Sequence, residues 1–122
     1  MPDRAVNLAE KLEAFSDHWS PKIVSRFNEC DVMVVKARGE FNWHHHDDTD
    51  DFFLVLRGTL RIELREGGER RDVTLGPGEL YVVPKGVEHR PVAEEEVHIL
   101  LIEPAGVPNT GDPATAVEKV AI

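Results

Sequence analysis

Cysteine is almost missing from this chain of 122 residues: Cys30 stands alone. It has no partner for an intramolecular disulfide, no Cys/His zinc framework surrounds it, and it reads as a small residue near a turn. Long hydrophobic runs are also missing. The longest, Phe52 to Leu56 and Ile99 to Ile102, are far too short to span a bilayer. The charged start Met1-Pro2-Asp3-Arg4 is followed by no apolar stretch of the kind a secretory leader carries. Cationic side chains are in deficit, with 14 Lys and Arg against 23 Asp and Glu and a formal net charge of -9. With no basic stripe to neutralise phosphates, nucleic acid and anionic membrane surfaces are excluded as partners. No serine or cysteine nucleophile has an evident base beside it, which disfavours covalent hydrolysis. These absences lead us to expect a cytoplasmic protein without membrane or nucleic-acid partners.

The length suits one domain with a real core, in the size range where dimerisation often adds burial. Near the N-terminus, Asn7 is placed to cap a helix, Glu10 follows three residues later, and Leu8, Leu12 and Phe15 recur at helical spacing. This pattern predicts a helical segment that ends near Ser20-Pro21. Short β-type runs separated by turn residues follow, the spacing of a sandwich or barrel. We read strands at 22–27, 31–38, 41–46, 51–57, 59–65, 70–75, 79–83, 89–92 and 97–103. Gly67-Gly68 joins the clean alternation of Leu60 to Leu64 to Val73-Thr74-Leu75, which predicts a hairpin. After Glu103 the stretch 104–113 is too rich in breakers for regular structure, and 114–122 forms one or two helical turns or an arm. The expected organisation is an N-terminal helical segment at 1–21, a barrel core at about 22–103 and a tail at 104–122. No internal repeat or low-complexity region is present.

The stretch Trp43-His44-His45-His46-Asp47-Asp48-Thr49-Asp50-Asp51 concentrates imidazoles and carboxylates, the ligands of borderline and hard divalent metals. In an extended segment successive side chains alternate, so His44 and His46 share one face while Trp43 and His45 share the other. A further imidazole, His89, lies in Pro84-Lys85-Gly86-Val87-Glu88-His89. The competing reading is that histidine-rich, acid-rich segments are solvated loops. Asp47 to Asp50 read as a polar turn, with Asp50 a fallback ligand, and His45 as a surface or interface residue. His18, beside Trp19, reads as partly packed outside the barrel. His98 alternates with Leu100 and Ile102 and is expected to face the barrel interior as a satisfied core histidine. Phe53 and Val55 share a face with Asp51, so we expect an apolar pocket wall there. Arg38, Arg57, Lys85 and Arg90 are candidate anion contacts at the pocket mouth, against the plainer reading of solvated surface cations.

With these strands placed, the two clusters resemble the cupins. Gly39, His44-x-His46, Asp51 and Gly58 follow the first cupin motif, with one residue fewer after the first glycine and aspartate in place of glutamate. Gly78, Pro84-x-Gly86 and His89 follow the second, with Ala93 where the family has asparagine. The resemblance covers about Val32 to Glu103. Within the family the chain is most similar to short single-domain proteins labelled mannose-6-phosphate-isomerase-like, through Trp43-His44-x-His46, Asp48-Thr49-Asp50, Val83 to His89 and Asn109-Thr110-Gly111-Asp112. That label describes similarity and does not establish a sugar substrate.

The resemblance implies an all-β fold, a small cupin barrel (double-stranded β-helix or jelly roll) with a short N-terminal helix. It also implies one divalent metal ion, iron, zinc, manganese or nickel, held by His44, His46, Asp51 and His89. Because aspartate is one methylene shorter than glutamate, Asp51 is expected to reach less far and to bind weakly or through water. A homodimer covering Leu12, Phe15 and Trp19 is expected as well. The leading functional expectation is a metal-dependent enzyme acting on a small organic molecule in the barrel, by isomerase- or dioxygenase-type chemistry. The alternatives are a non-catalytic small-molecule-binding or regulatory module and a metal-free structural barrel. Catalytic residues are not assigned.

Overall fold

The computed structural model describes residues 4–122, so residues 1–3 of the expected N-terminal segment lie outside the described residues. One helix, α1 (Leu8–Glu13), precedes β1 (Lys22–Phe27), β2 (Cys30–Glu40), β3 (Asp51–Arg57), β4 (Leu60–Glu66), β5 (Glu69–Leu75), β6 (Leu80–Val83), β7 (Glu88–Pro104) and β8 (Val120–Ala121). The architecture is the all-β barrel with a short helix that the sequence predicts. No helix of the described residues is long and apolar enough to cross a membrane.

β7 organises the sheet. It is antiparallel to β2, β3 and β4 along different parts of its length, β3 in turn pairs with β6, and β4 with β5. The expected strands 89–92 and 97–103 are thus one bent strand. Its pairing with β2 shifts register between Ala37 and Gly39, and its pairing with β3 shifts between Val55 and Arg57. Such irregularities bend a strand without ending it. The Gly67-Gly68 hairpin forms as expected, with both glycines at positive φ and Glu66 opposite Glu69.

Alternation along the strands places Met33, Val35 and Ala37 of β2, Phe53 and Val55 of β3, and Val97, Ile99 and Leu101 of β7 in one core with Leu60, Ile62 and Leu64 of β4. The inward face of β7 is therefore the odd-numbered one. His98 lies on the outer face with Leu100 and Ile102, contrary to expectation, and meets Glu96 Oε2 at 3.1 Å. Because the odd positions are continuously apolar from Val97 to Leu101, facing the even positions inward would expose the more uniform row.

Two further expectations change, and the tail takes one of its two expected forms. Asn7 caps α1 by accepting from the Glu10 amide at 3.1 Å, but the helix ends at Glu13, well before Ser20-Pro21. Phe15 lies beyond it, its carbonyl accepting from Lys36 Nζ at 2.7 Å, and Trp19 adopts a positive φ. The run 41–46 forms no strand; it contributes a single bridge between His44 and His89. Of the two readings of the tail, the arm holds: 114–122 contains no helix and ends in β8, parallel to β1. Its Gly111 packs so closely on the His45 backbone that a Cβ would overlap the carbonyl oxygen.

Candidate metal centre

Backbone pairing brings the two histidine-bearing motifs together. His44 and His89 exchange amide-to-carbonyl hydrogen bonds of 3.0 and 2.9 Å, and the Gly86 amide donates to the His46 carbonyl at 2.7 Å. Although 41–46 makes no ladder, its side chains still alternate: His44 and His46 are buried, and His45 is exposed. Asp51, the first residue of β3, faces the same interior as Phe53 and Val55, as expected. One ligand atom from each of His44, His46, Asp51 and His89 lies within 4.8 Å of the others, and all four residues are buried.

The Asp51 carboxylate reaches the imidazoles despite its shorter side chain. Oδ2 lies 2.8 Å from His89 Nε2, 3.4 Å from His46 Nε2 and 3.9 Å from His44 Nε2. Burial alone would raise its pKa, yet the three imidazoles gathered around it hold it well below the usual carboxylate range. Burial likewise opposes the charged form of His46, but Asp51 outweighs it and the His46 pKa is raised.

The ring nitrogens indicate what fits between these groups. His44 Nδ1 lies 2.8 Å from the Asn42 carbonyl and His89 Nδ1 lies 2.9 Å from the Val87 carbonyl. A carbonyl only accepts, so both Nδ1 atoms carry hydrogen, and in a neutral ring the Nε2 lone pair then points at the centre. His46 has both ring nitrogens buried and without a hydrogen-bond partner. Imidazole lone pairs facing a carboxylate are mutually unfavourable unless a cation stands between them. The donor set of three nitrogens and one carboxylate oxygen therefore fits a borderline divalent ion, with the Nδ1 to carbonyl bonds orienting two of the rings.

A small cavity of about 40 Å³ opens onto His44 and Asp51. Its walls include Trp19, Phe41, Phe53 and Leu101. Trp19 stacks on Phe41 at 4.9 Å between ring centroids, and its indole donates to the Arg38 carbonyl at 2.8 Å. Trp43 is on the outside, with the Arg65 guanidinium 3.9 Å from its ring centroid.

The sequence reading missed Glu103, which lines the same cavity and is only 2 % exposed. Burial, then the neighbouring Asp51, pushes its carboxyl up to about 7. Oε1 has no hydrogen-bond partner; Lys119 Nζ approaches to 3.5 Å but donates to the Val107 carbonyl at 2.6 Å. The missed signal was parity, since Glu103 continues the inward row of Val97, Ile99 and Leu101.

The candidate anion contacts are elsewhere. Arg38, Arg57 and Lys85 are exposed, and Arg90 is engaged by Glu63 and Glu40 at 2.7 and 2.6 Å. Asp50, the fallback ligand, accepts from the Lys85 amide at 2.9 Å. His18 pairs with Glu96 at 2.7 Å outside the barrel.

Comparison with known proteins gives a consistent family. A cupin-2 domain protein from Shewanella frigidimarina is 46% identical in its solved structure, with a TM-score of 0.76 over 81% of this chain and 93% of that one. The 3-hydroxyanthranilate 3,4-dioxygenase of Ruegeria pomeroyi is 35% identical over 81 residues, 64% of this chain and 45% of that protein. YdbB of Bacillus subtilis, an uncharacterised protein, is 34% identical over 67 residues, 55% of this chain and 57% of its own length. The chain thus spans about half the length of these curated relatives. The hydroquinone 1,2-dioxygenase of Sphingomonas sp. TTNP3, solved with 4-hydroxybenzoate bound, shares the fold at 19% identity and a TM-score of 0.71 over 96% of this chain and 77% of that one. The description of the Cupin domain matches residues 31–103, and this chain belongs to that family.

Proposed function

We propose that this chain is a metal-dependent cupin enzyme that acts on a small organic molecule in its barrel, with His44, His46, His89 and Asp51 holding one divalent ion. The observation that carries this reading is the meeting of four buried ligand atoms within 4.8 Å beside an apolar cavity. A divalent ion held there supplies a Lewis-acid centre with open positions, and iron supplies oxidative chemistry in addition.

The chain's own residues do the rest. Asn42 and Val87 carbonyls orient His44 and His89, Asp51 provides the anionic charge, and Phe53 and Leu101 keep water from the wall of the cavity. Similarity to a 3-hydroxyanthranilate dioxygenase over about half of that protein supports dioxygenase-type chemistry above isomerisation. The subgroup we favour is that of the short mannose-6-phosphate-isomerase-like cupins, on the motifs around Trp43 and His89.

We also place a homodimer in this reading. The outer face of β6, β3 and β7 carries Leu80, Val82, Phe52, Leu54, Leu100 and Ile102, paired in register. Leu80 is 55 % exposed, which a second copy of this face would cover.

Elemental analysis of protein purified without a histidine tag, followed by oxygen uptake with ferrous iron and a panel of small phenols, acids and thiols, tests the reading. Close to one ion per chain with substrate-dependent uptake supports it. Bound metal without turnover of any kind turns it into a binding module, and no bound metal overturns it.

A further inference from the structure

Resting on the reading of a metal site that takes a small organic molecule, we propose that the segment from Phe15 to Ser20 is a gate, with Trp19 as its leaf and Glu96 as its latch. The ligand enters when this segment swings off the barrel. Size makes the case. The cavity beside His44 and Asp51 measures about 40 Å³, room for about one or two waters, whereas sites for small organic molecules span about 300 to 1,000 Å³. A ligand of that class must displace a wall.

Most of the walls are fixed. Val35, Phe53, Ile99 and Leu101 are core residues of β2, β3 and β7, which are joined by continuous ladders. The Phe41 amide donates to the Pro91 carbonyl at 3.0 Å. Asn109 accepts from the Val117 amide at 2.8 Å, in a tail whose Gly111 lies against the His45 backbone. Trp19 differs. It belongs to a stretch, 14–20, that contains no helix or strand. Its φ of 58° is a costly conformation for a bulky residue, and its ring closes on Phe41. Swinging outward relieves the backbone and widens the cavity together.

The contacts that hold the segment shut are polar and few. Trp19 donates from its amide to the Lys36 carbonyl and from its indole to the Arg38 carbonyl, both at 2.8 Å. Lys36 Nζ donates to the Phe15 carbonyl at 2.7 Å. His18 Nε2 meets Glu96 Oε1 at 2.7 Å, while His98 Nε2 meets Oε2 of the same carboxylate at 3.1 Å. Glu96 thus ties the segment to β7 from outside the cavity. Its side chain is 42% exposed, and an ion pair so placed breaks at little cost.

The competing role for Trp19 is that of a fixed wall. The two roles part at Glu96, which does not line the cavity. Where only the open form admits a ligand, apparent affinity scales with the open fraction, so loosening a remote latch tightens the binding of a bulky molecule and leaves a small one unaffected. Cobalt(II)-loaded protein, read by its visible bands, is titrated with azide, which the present space accommodates, and with 4-phenylimidazole, which exceeds it. We expect Glu96→Ala to bind 4-phenylimidazole about two- to five-fold more tightly than the unaltered protein does, and azide with unchanged strength. Unchanged or weaker binding of 4-phenylimidazole, equal tightening of both probes, or no binding of 4-phenylimidazole to either protein overturns the gate. Should Glu96→Ala not fold, His18→Ala removes the same latch from its exposed side. Failure of the metal reading looks different: the protein takes up no cobalt, or His46→Ala keeps it. Hydrogen exchange of the Trp19 indole N–H in metal-free protein then decides. Glu96→Ala should speed it by the same factor while the ladder amides of β2 and β7 keep their rates, and an unchanged indole rate overturns the gate.

Discussion

Nε2 of His89 lies 2.8 Å from Oδ2 of Asp51, joining residues 38 apart in the chain at the buried end of β3. The contact exists because Asp51 opens β3 opposite Val83 of β6, and Val83 immediately precedes the Pro84 turn that leads to His89. Pairing thus carries the aspartate backbone toward the imidazoles and compensates for the missing methylene.

Asp51 is accordingly the position where a substitution separates geometry from sequence pattern. Side-chain length alone predicts that Asp51→Glu tightens metal binding and that Asp51→Ala costs little. The distances reverse this order. Asp51→Ala should weaken the metal beyond the about ten- to hundred-fold typical of an outer-shell change, and Asp51→Glu should alter it by less than about ten-fold, because a longer side chain must fit a site that is already closed. Competition titration with a chelator ranks the two.

His46 and His89 should differ in the metal-free protein. Both His46→Ala and His89→Ala should abolish metal uptake while β-type circular dichroism persists. His46 has unpartnered ring nitrogens, so its removal breaks no hydrogen bond of the metal-free fold and should cost less than the removal of His89. His89 is bonded to Val87 and Asp51, and its loss should destabilise by about 1 to 3 kcal/mol, the cost of leaving buried partners unsatisfied. Urea denaturation with and without metal measures both.

Glu103 should make the metal-free protein less stable as pH rises. Unfolded, its carboxyl releases a proton near the ordinary value of 4.5, whereas in the folded protein it holds that proton up to about 7. The native state therefore binds more protons across this window, and stability falls as pH increases through it. Glu103→Gln removes that dependence. It should stabilise the metal-free protein by about 1 to 3 kcal/mol at pH 8, with the difference vanishing below the ordinary glutamate pKa. Urea midpoints across the pH range provide the check.

The proposed dimer face is tested at Leu80 and Val82, which are 55 % and 39 % exposed. Leu80→Lys and Val82→Lys should give monomers by sedimentation at micromolar concentration and leave metal uptake intact. A protein that is already monomeric would overturn the dimer, and variants that remain dimeric would place its contact elsewhere. Leu12 is half-buried and borders a depression beside Lys36, Leu56 and His98 of its own barrel. Phe15 lies between Lys22 and Lys36, whose ammonium groups are 5.4 and 5.1 Å from its ring centroid.

Much of this was legible along the chain. Glycine punctuation and alternating runs located most strands, with β3 matching its expected bounds and the β4–β5 hairpin its expected turn. The two motifs singled out His44, His46, Asp51 and His89 before any geometry was available. Period-two alternation carried this information because a strand obliges successive side chains to face opposite sides. It held at His44, His45 and His46 even where the hydrogen-bonded ladder failed.

What alternation alone left open was which face of β7 is inside. Read through His98, the even positions point inward; in the folded chain β2 and β3 flank β7, and their apolar residues meet Val97, Ile99 and Leu101 on the odd face. That choice moves His98 out and brings Glu103 into the cavity. The end of the helix, the path of the tail and the reach of Asp51 also depend on contacts between residues distant in sequence.

The sequence by itself determined the all-β class, most turns and the identity of the metal-ligand candidates, because these follow from local alternation and from residue chemistry. Only the tertiary structure decided that Asp51 reaches the imidazoles, that no described cation lines the cavity and that Glu103 does. Those facts follow from strand register and burial, which place side chains distant along the chain in one low-dielectric space.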